Sequence, residues 1–414
     1  MLNYVGAAIL MRMSFKDLTL LNINNNWDIE SFRALRPMTP FSDEVVAYLS
    51  SLSKELNKNI QIKSFPDVAT FSFYCRKSNI LQLKKKYHKD NSIKLGRGII
   101  FHIAPSNVAV NFAYSLIIGL LSGNANIVRV PSKYFEQINI IVSAINSLSK
   151  SDEHKLVSNR IILARYDHAS NITRKLSSIC DVRIIWGGDE TITRIRENKL
   201  QPRAFDVTFA DRYSLCVINA DKYTKDKNHK AIAGDFFNDT YLFDQNACTS
   251  PHLVIWVGTQ VSVKKAQSLF WSNLYSIIIE RYHVQPVVAI DKITNFFDQA
   301  IHMENINLTK TKDNLLWRIN LDELPSNIDM FRCNSGYFSE YHAISLSELS
   351  KIINIKYQTL AYYGFSKKEL NDFIYQLKPS GIDRIVPIGK TMDFSLIWDG
   401  YDLITTLSRE VEIV

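Results

Sequence analysis

The 414-residue sequence has only five cysteines, Cys75, Cys180, Cys216, Cys248 and Cys333, and no two of them form a C-x-x-C pair. They are too few and too dispersed for a disulfide framework, and their spacing offers no zinc site. Glycine (14 residues) and proline (11) are sparse and scattered, which excludes collagenous, low-complexity and linker-rich chains. No G-x-G-x-x-G occurs, so the ordinary dinucleotide fingerprint is missing. A P-loop and H-E-x-x-H are missing too, and His168, His252 and His342 lie in no serine-hydrolase signature. The most lipid-like stretch, residues 112–121, has about ten residues where a spanning helix needs about 20. The opening MLNYVGAAILMRM has no basic residue ahead of its apolar part and no small-residue cleavage site, so we do not read it as a signal peptide. Together these absences predict a soluble cytoplasmic protein with no membrane span and no metal.

Hydrophobic residues make up 46% of the chain and charged residues 22%, enough apolar material for two or three buried cores. The net charge of +8 suits an anionic ligand, a nucleic acid or an acidic partner and selects none of them. No zinc-finger or RNP-type motif accompanies that charge, and nucleic-acid binding is not expected.

The first ninety residues mix helical and strand-like patches, and the basic run Lys84, Lys85, Lys86 reads as a solvated face. From Gly96 the pattern becomes regular. Short β-rich runs (GIIFHI, NIVRV, RIILARY, VRIIW, FDVTFA) alternate with helical periods such as YFEQINIIVSAINSL. That alternation predicts a parallel sheet wrapped on both faces. A helical stretch at 230–241, the loop DQNACTSP, a strand HLVIWVG and an amphipathic helix at 263–282 predict a second α/β unit. GIDRIVPIG and IWDGYDLITTLSREVEIV return to β-rich sequence, a strand closing the sheet or crossing to a neighbouring subunit.

Three stretches carry chemistry. In FHIAPSNVAVNFAYSLIIGLLSGNANIVRVPSK a strand ends at Pro105-Ser106-Asn107, and ligands of such sheets bind at the carboxyl ends of strands. Asn107 offers a carboxamide donor to an oxyanion there; the alternative is that it caps the following helix. Arg129, Ser132 and Lys133 follow the next strand, where they hold a phosphate or ribose or are surface charges. In IIWGGDETITRI, Gly187 and Gly188 open a helix and allow close approach of a ligand, while Asp189 and Glu190 complement the helix dipole. In FDQNACTSP, Cys248 lies among small polar residues ahead of a strand. It is either a nucleophile, which then needs donors for its thiolate, or a small buried residue. Cys180 and Cys216 sit on apolar β runs, and Cys75 and Cys333 lack the surroundings of Cys248.

These stretches, with YQTLAYYG and RIVPIGKTMDFSLIWDGYDLI, occur in the order and at roughly the spacing of the acyl-CoA reductase family, which the sequence resembles from about Gly96 to its end. That family includes the fatty-acid reductase of bacterial bioluminescence and belongs to the aldehyde dehydrogenase superfamily. The resemblance implies an aldehyde-dehydrogenase-like α/β fold with a parallel-sheet nucleotide-binding domain and an α/β catalytic domain that ends in a β-rich segment. Its implied divisions are an N-terminal segment at 1–95, a nucleotide-binding domain at 96–235, a thiol domain at 236–385 and a sheet-closing or oligomerisation segment at 386–414.

The implied reaction is reduction of an acyl thioester to an aldehyde by NADPH, or NADH, through a Cys248 acyl-enzyme. Asn107 and the Cys248 N–H would form the oxyanion hole. Arg129, Ser132 and Lys133 correspond to the superfamily's Lys-Pro-Ser-Glu motif on the adenosine side, and Pro105, Ser106, Gly187 and Gly188 would face the cofactor. The implied donor is acyl-CoA or an acyl-protein, with an acyl-protein ligase or acyl carrier protein as partner and a homo-oligomer as the assembly. Where hydrolytic aldehyde dehydrogenases read Glu-Leu-Gly-Gly-Lys-Ser, this chain reads FADRYS, with Phe209 near the position of the Glu that activates water. The alternatives are an aldehyde dehydrogenase or acyl-phosphate reductase with the same thiol chemistry, and a non-catalytic acyl-carrier subunit.

Overall fold

The β-branched runs and the helical periods between them form two separate parallel sheets, each in its own compact unit, in a computed structural model that describes residues 17–22, 28–87, 92–167 and 169–413. The opening apolar stretch and His168 lie outside the described residues.

The first unit holds the residues up to Ala210 together with those from Tyr401 onward. Its sheet contains β1 (Thr19–Leu20), β3 (Ile99–Ile103), β4 (Ala125–Arg129), β5 (Ile161–Arg165), β6 (Val182–Trp186) and β7 (Phe205–Phe209) in the order β1-β5-β4-β3-β6-β7. All neighbours are parallel except β1, which runs antiparallel on the edge. β3 and β6 are buried along their whole length, as expected of strands covered on both faces. The lipid-like stretch is the crossover helix Asn111–Leu121, which packs on β3 and β4 and is buried in nine of its eleven residues. Core burial therefore accounts for its hydrophobicity.

The N-terminal region departs from the mixed reading. Residues 28–87 contain helices and no strand, because Val45, Tyr48, Leu49, Leu52 and Leu56 recur at the helical period and bury one face of Asp43–Lys58. The lysine run ends the helix Lys77–Tyr87; Lys85 and Lys86 are exposed, and Lys84 pairs with Asp43 at 3.1 Å. The short β2 (Ile93–Gly96) pairs antiparallel with the C-terminal strand Ser408–Val411 of the same unit. The helical turn Leu403–Leu407 precedes that strand.

GNANIVRV is an architectural motif. Gly123 has φ +85°, and a Cβ there would lie 2.1 Å from the Met38 carbonyl oxygen. The buried Asn124 accepts from the Arg97 and Gly98 N–H groups at 2.6 and 3.0 Å and donates to Ser122 Oγ and the Leu407 carbonyl, both at 2.9 Å. Asn126 Oδ1 meets His102 Nε2 at 3.0 Å, and His102 Nδ1 meets Ser115 Oγ at 2.8 Å. Ser115 Oγ also accepts from the Trp186 indole at 3.0 Å. Burial holds His102 neutral, its pKa lowered to about 4, and every polar atom of this chain is satisfied within the unit.

The second unit spans Asp211–Gly400. Its sheet contains β8 (Tyr213–Asn219), β9 (Pro251–Val257), β10 (Ile306–Lys310), β11 (Trp317–Leu321), β12 (Tyr337–Ala343), β13 (Tyr357–Tyr363) and β14 (Arg384–Pro387) in the order β10-β11-β12-β9-β8-β13-β14. Only the edge strand β10 is antiparallel. The helices His229–Thr240 and Gln260–Arg281 pack on each other, with Phe236, Phe270, Trp271, Trp256 and Phe338 interlocking in one core.

Candidate active site

The first sheet brings together three of the sequence motifs. β3 is flanked by β4 and β6, so the chain leaves β3 in one direction along the sheet and returns on the other side. That strand order makes a topological switch point, where parallel sheets bind ligands beyond the strands' carboxyl ends. Pro105, Ser106 and Asn107 follow β3, Arg129 ends β4 with Ser132 and Lys133 just beyond, and Gly187 and Gly188 follow β6.

Ser106, Asn107, Ser132, Lys133 and Gly188 are all exposed, while Pro105, Arg129 and Gly187 are half-buried. Asn107 does not cap the next helix. The cap position is Val110, without a side-chain bond, and three residues separate Asn107 from the helix start at Asn111. Neither glycine of the pair has a positive φ, so they do not serve as a turn. Gly188 instead leaves open space, with nothing within 4 Å of where a Cβ would stand, at the start of the helix Asp189–Arg196. The Arg129 guanidinium lies 4.9 Å from the centre of the Tyr166 ring, and its Nε is buried with no hydrogen-bond partner. Lys133 lies over the Phe135 ring at 5.2 Å. Phe209, at the end of β7, stacks on Trp186 with ring centres 3.7 Å apart and carries no titratable group.

Cys248 lies in the second unit, in the turn before β9, and is half-buried, whereas the other four cysteines are buried. Cys216 is on β8, but Cys180 is in the turn leading into β6 and not on the strand itself. Asp244 and Gln245, both in the left-handed region at φ 52° and 59°, reverse the chain ahead of Cys248. The buried Gln245 side chain holds that reversal. It donates to the Pro251 and Tyr337 carbonyls at 2.9 and 3.0 Å and accepts from the Gly336 and Tyr337 N–H groups at 2.9 and 3.1 Å. Ser214 Oγ donates to the Cys248 carbonyl at 2.6 Å, and Ser250 Oγ donates to the Asp239 carbonyl at 2.9 Å. The Asp239 carboxylate in turn accepts from the Gly389 and Thr391 N–H groups at 2.6 and 3.1 Å, and burial raises its pKa to about 6.

Burial first, and then the Asp399 carboxylate, push the Cys248 thiol up to about 12. Gln358, Arg212 and the cysteine's own N–H act in the opposite direction. Sequence reasoning missed Gln358, Asp399, Arg212 and Gln245. Gln245 stands three residues from Cys248 in FDQNACTSP, whereas Gln358 and Asp399 come from YQTLAYYG and IWDGYDLI, which no local spacing ties to the cysteine. Among the described residues no cluster of three or more His, Cys, Asp or Glu is placed to hold a metal, and no helix is long and apolar enough to cross a membrane.

Solved structures similar to this chain are aldehyde dehydrogenases. A lactaldehyde dehydrogenase matches with a TM-score of 0.62 at 11% identity, covering 92% of this chain and 87% of that one. An NAD-dependent benzaldehyde dehydrogenase from Corynebacterium glutamicum matches with a TM-score of 0.61 at 12% identity, covering 92% and 86%. The fold is therefore aldehyde-dehydrogenase-like. Among curated relatives, the long-chain acyl-protein thioester reductase of Aliivibrio fischeri is 26% identical over 163 residues, 39% of this chain and 32% of that protein. Its counterpart from Photobacterium phosphoreum is 23% identical over 326 residues, 77% of this chain and 62% of that protein, so both matches span less than two thirds of the relative. The family model for acyl-CoA reductase (LuxC) matches residues 21–410, nearly the whole sequence, and the chain belongs to that family.

Proposed function

We propose that the protein reduces an acyl thioester, presented as acyl-CoA or as an acyl-protein, to an aldehyde through an acyl-enzyme on Cys248. The observation that carries the proposal is the half-buried Cys248, held by a hydrogen-bonded turn, in a chain of the acyl-CoA reductase family. Its thiolate attacks the thioester carbonyl, the carbonyl re-forms, and the donor's thiol leaves with the proton. Reduction of the acyl-enzyme then forms a C–H bond at the carbonyl carbon and breaks the carbon–sulfur bond, so that aldehyde leaves and the electron pair returns to the Cys248 sulfur as thiolate. Asn107 is the proposed carboxamide donor to the oxyanion.

The rim of the first sheet fits a dinucleotide. The orphaned Arg129 Nε is a donor in search of an anion, and the open face of Gly188 admits a phosphate to a helix start. Arg129, Ser132 and Lys133 would hold the adenosine side of NADPH, with Pro105, Ser106, Gly187 and Gly188 along its middle. NADH remains the alternative, since an Arg stands where the superfamily motif has Lys. Bound there, NADPH supplies the hydride for the reduction. Phe209 offers no carboxylate to activate water, which supports slow hydrolysis of the acyl-enzyme and hence the reductive outcome.

Intact mass spectrometry of the full chain after incubation with acyl-CoA and acyl-protein thioesters, without cofactor, tests the reading. Wild type should gain one acyl group, Cys248→Ser should gain none, and added NADPH should discharge the adduct as aldehyde. A stable adduct that NADPH leaves in place would point to an acyl-carrier subunit instead.

A further inference from the structure

The thiol of Cys248 is buried beside a carboxylate, and both features oppose ionisation. A nucleophile in that setting needs a donor aimed at its sulfur. The start of β13 is tied to the Cys248 turn through Ser214, whose Oγ donates to the Cys248 carbonyl at 2.6 Å and accepts from the Thr359 N–H at 3.2 Å. Gln358, the second residue of β13, brings its carboxamide to that side of the turn and is 2% exposed, so it has few alternative rotamers. Its two ends are distinguishable by what they meet. Thr359 Oγ1 reaches Gln358 Oε1 at 3.5 Å, while Gln358 Nε2 donates to Asp399 Oδ1. A carboxylate accepts only, so Asp399 selects the rotamer that turns the amide NH2 group, rather than its oxygen, toward its own side of the pocket. An amide nitrogen has two hydrogens, and one remains for Cys248.

Asp399 is itself held in place. It lies in the left-handed region at φ 47°, and Arg212 Nη1 is 3.9 Å from its Oδ1. Arg212 is anchored in turn by Asp383 and by the Tyr357 carbonyl at 2.9 Å. The charged groups facing the thiol are thus Asp399, Arg212 and Arg384, with Asp383 behind Arg212 and with Asp239 and Asp393 facing Arg384.

We infer that Gln358 is the hydrogen-bond donor to the Cys248 thiolate and that Asp399, steadied by Arg212, is a positioning residue that fixes the orientation of the Gln358 carboxamide. The inference deepens the proposed thiol chemistry and rests on Cys248 as its nucleophile. In the ionisation step the S–H bond breaks, the proton leaves to solvent and the electron pair stays on sulfur. One Gln358 N–H then points at that charge, and the Asp399 carboxylate keeps the other.

The test reads the thiolate without substrate or cofactor. The full chain is alkylated with iodoacetamide at a series of pH values, and the adduct at Cys248 is followed by peptide mass spectrometry, the four buried cysteines serving as internal controls. Below the thiol pKa the rate follows the thiolate fraction. Losing a hydrogen bond to a charged group is worth about one pH unit, so Gln358→Leu should slow alkylation about tenfold at each pH. Gln358→Met, of similar length, replaces it if the Leu variant misfolds by circular dichroism. In the Asp399→Asn background the same Gln358 substitution should cost less than about threefold, because an Asn carboxamide can accept or donate and no longer selects the orientation of the Gln358 amide.

An unchanged rate in folded Gln358→Leu or Gln358→Met overturns the donor assignment. An equal cost in both backgrounds overturns the positioning role of Asp399. If wild type alkylates as expected but takes no acyl group from any thioester, the proposed function fails while the donor assignment stands on its own result.

Discussion

At the rim of the first sheet, the side chains of Ser106, Asn107 and Ser132 are exposed and make no hydrogen bond within the described residues, and Gly188 faces open space. Around Cys248 in the second unit the reverse holds: Gln245, Ser214, Ser250 and Asp239 are bonded to one another's strands and turns. The first arrangement leaves donors for a ligand that comes and goes. The second uses its polar groups to fix one backbone position, an arrangement that suits the proposed nucleophile. The comparison also explains why glycine and asparagine differ in role along one stretch. Asn124 and Asn126 are bonded inside the fold, whereas Asn107, in the same stretch, is exposed.

The contrast breaks most visibly in stability. Gln245→Ala removes four hydrogen bonds from a buried turn and strands two carbonyls and two N–H groups. At about 1–3 kcal/mol per buried orphan, partly relieved by water, it should cost on the order of 4 kcal/mol by urea unfolding. A loss below about 1 kcal/mol would mean the turn is held by other contacts.

Asn107→Ala should do the opposite. Acylation should slow about a hundredfold, the effect of losing one oxyanion donor of about 3 kcal/mol, with no change in Tm because Asn107 neither caps the helix nor bonds the fold. Asn107→Asp should be equally slow. A Tm drop with acylation intact would return Asn107 to a structural role.

Acid should sharpen the comparison between the two units, since each contains a histidine whose pKa is lowered by burial. The pKa of His102 is lowered from 6.5 to about 4 and that of His252 from 6.5 to about 3, both by burial. A lowered histidine pKa means the folded state binds fewer protons. The stabilisation is therefore fully present above pH 6.5 and falls away as pH drops toward the folded value, by roughly 3 kcal/mol for His102. In His102→Gln the unfolding free energy should lose that slope between pH 6.5 and 4 while the His252 share continues below it. An unchanged slope would mean His102 protonates without penalty.

The smallest expected effect is on the cofactor. Arg129→Ala should raise KM for NADPH about tenfold and that for NADH less, since a 2′-phosphate has most to lose from a missing guanidinium. Equal changes would mean that Arg129 meets a part common to both cofactors.

Local pattern determined much of this molecule. The alternation of β-branched runs with helical periods was enough for two parallel sheets, because period and burial are properties of a few neighbouring residues. The positions after β3, β4 and β6 could likewise be named as a rim from their order alone. The helical content of residues 28–87 was harder to read, since short apolar patches fit either period until a face is buried. Whether Asn107 caps the helix was undecidable from spacing, and only the observed cap at Val110 removed that reading.

What surrounds Cys248 belonged to the tertiary structure entirely. Gln358 and Asp399 are more than a hundred residues away in sequence and reach the cysteine only because β8 lies between β9 and β13 in one sheet. The sequence alone marked Cys248 as the cysteine in a polar loop. Whether that thiol ionises depends on burial, on one carboxylate and on which end of one amide faces it, and these are set by strand order and packing rather than by neighbours along the chain.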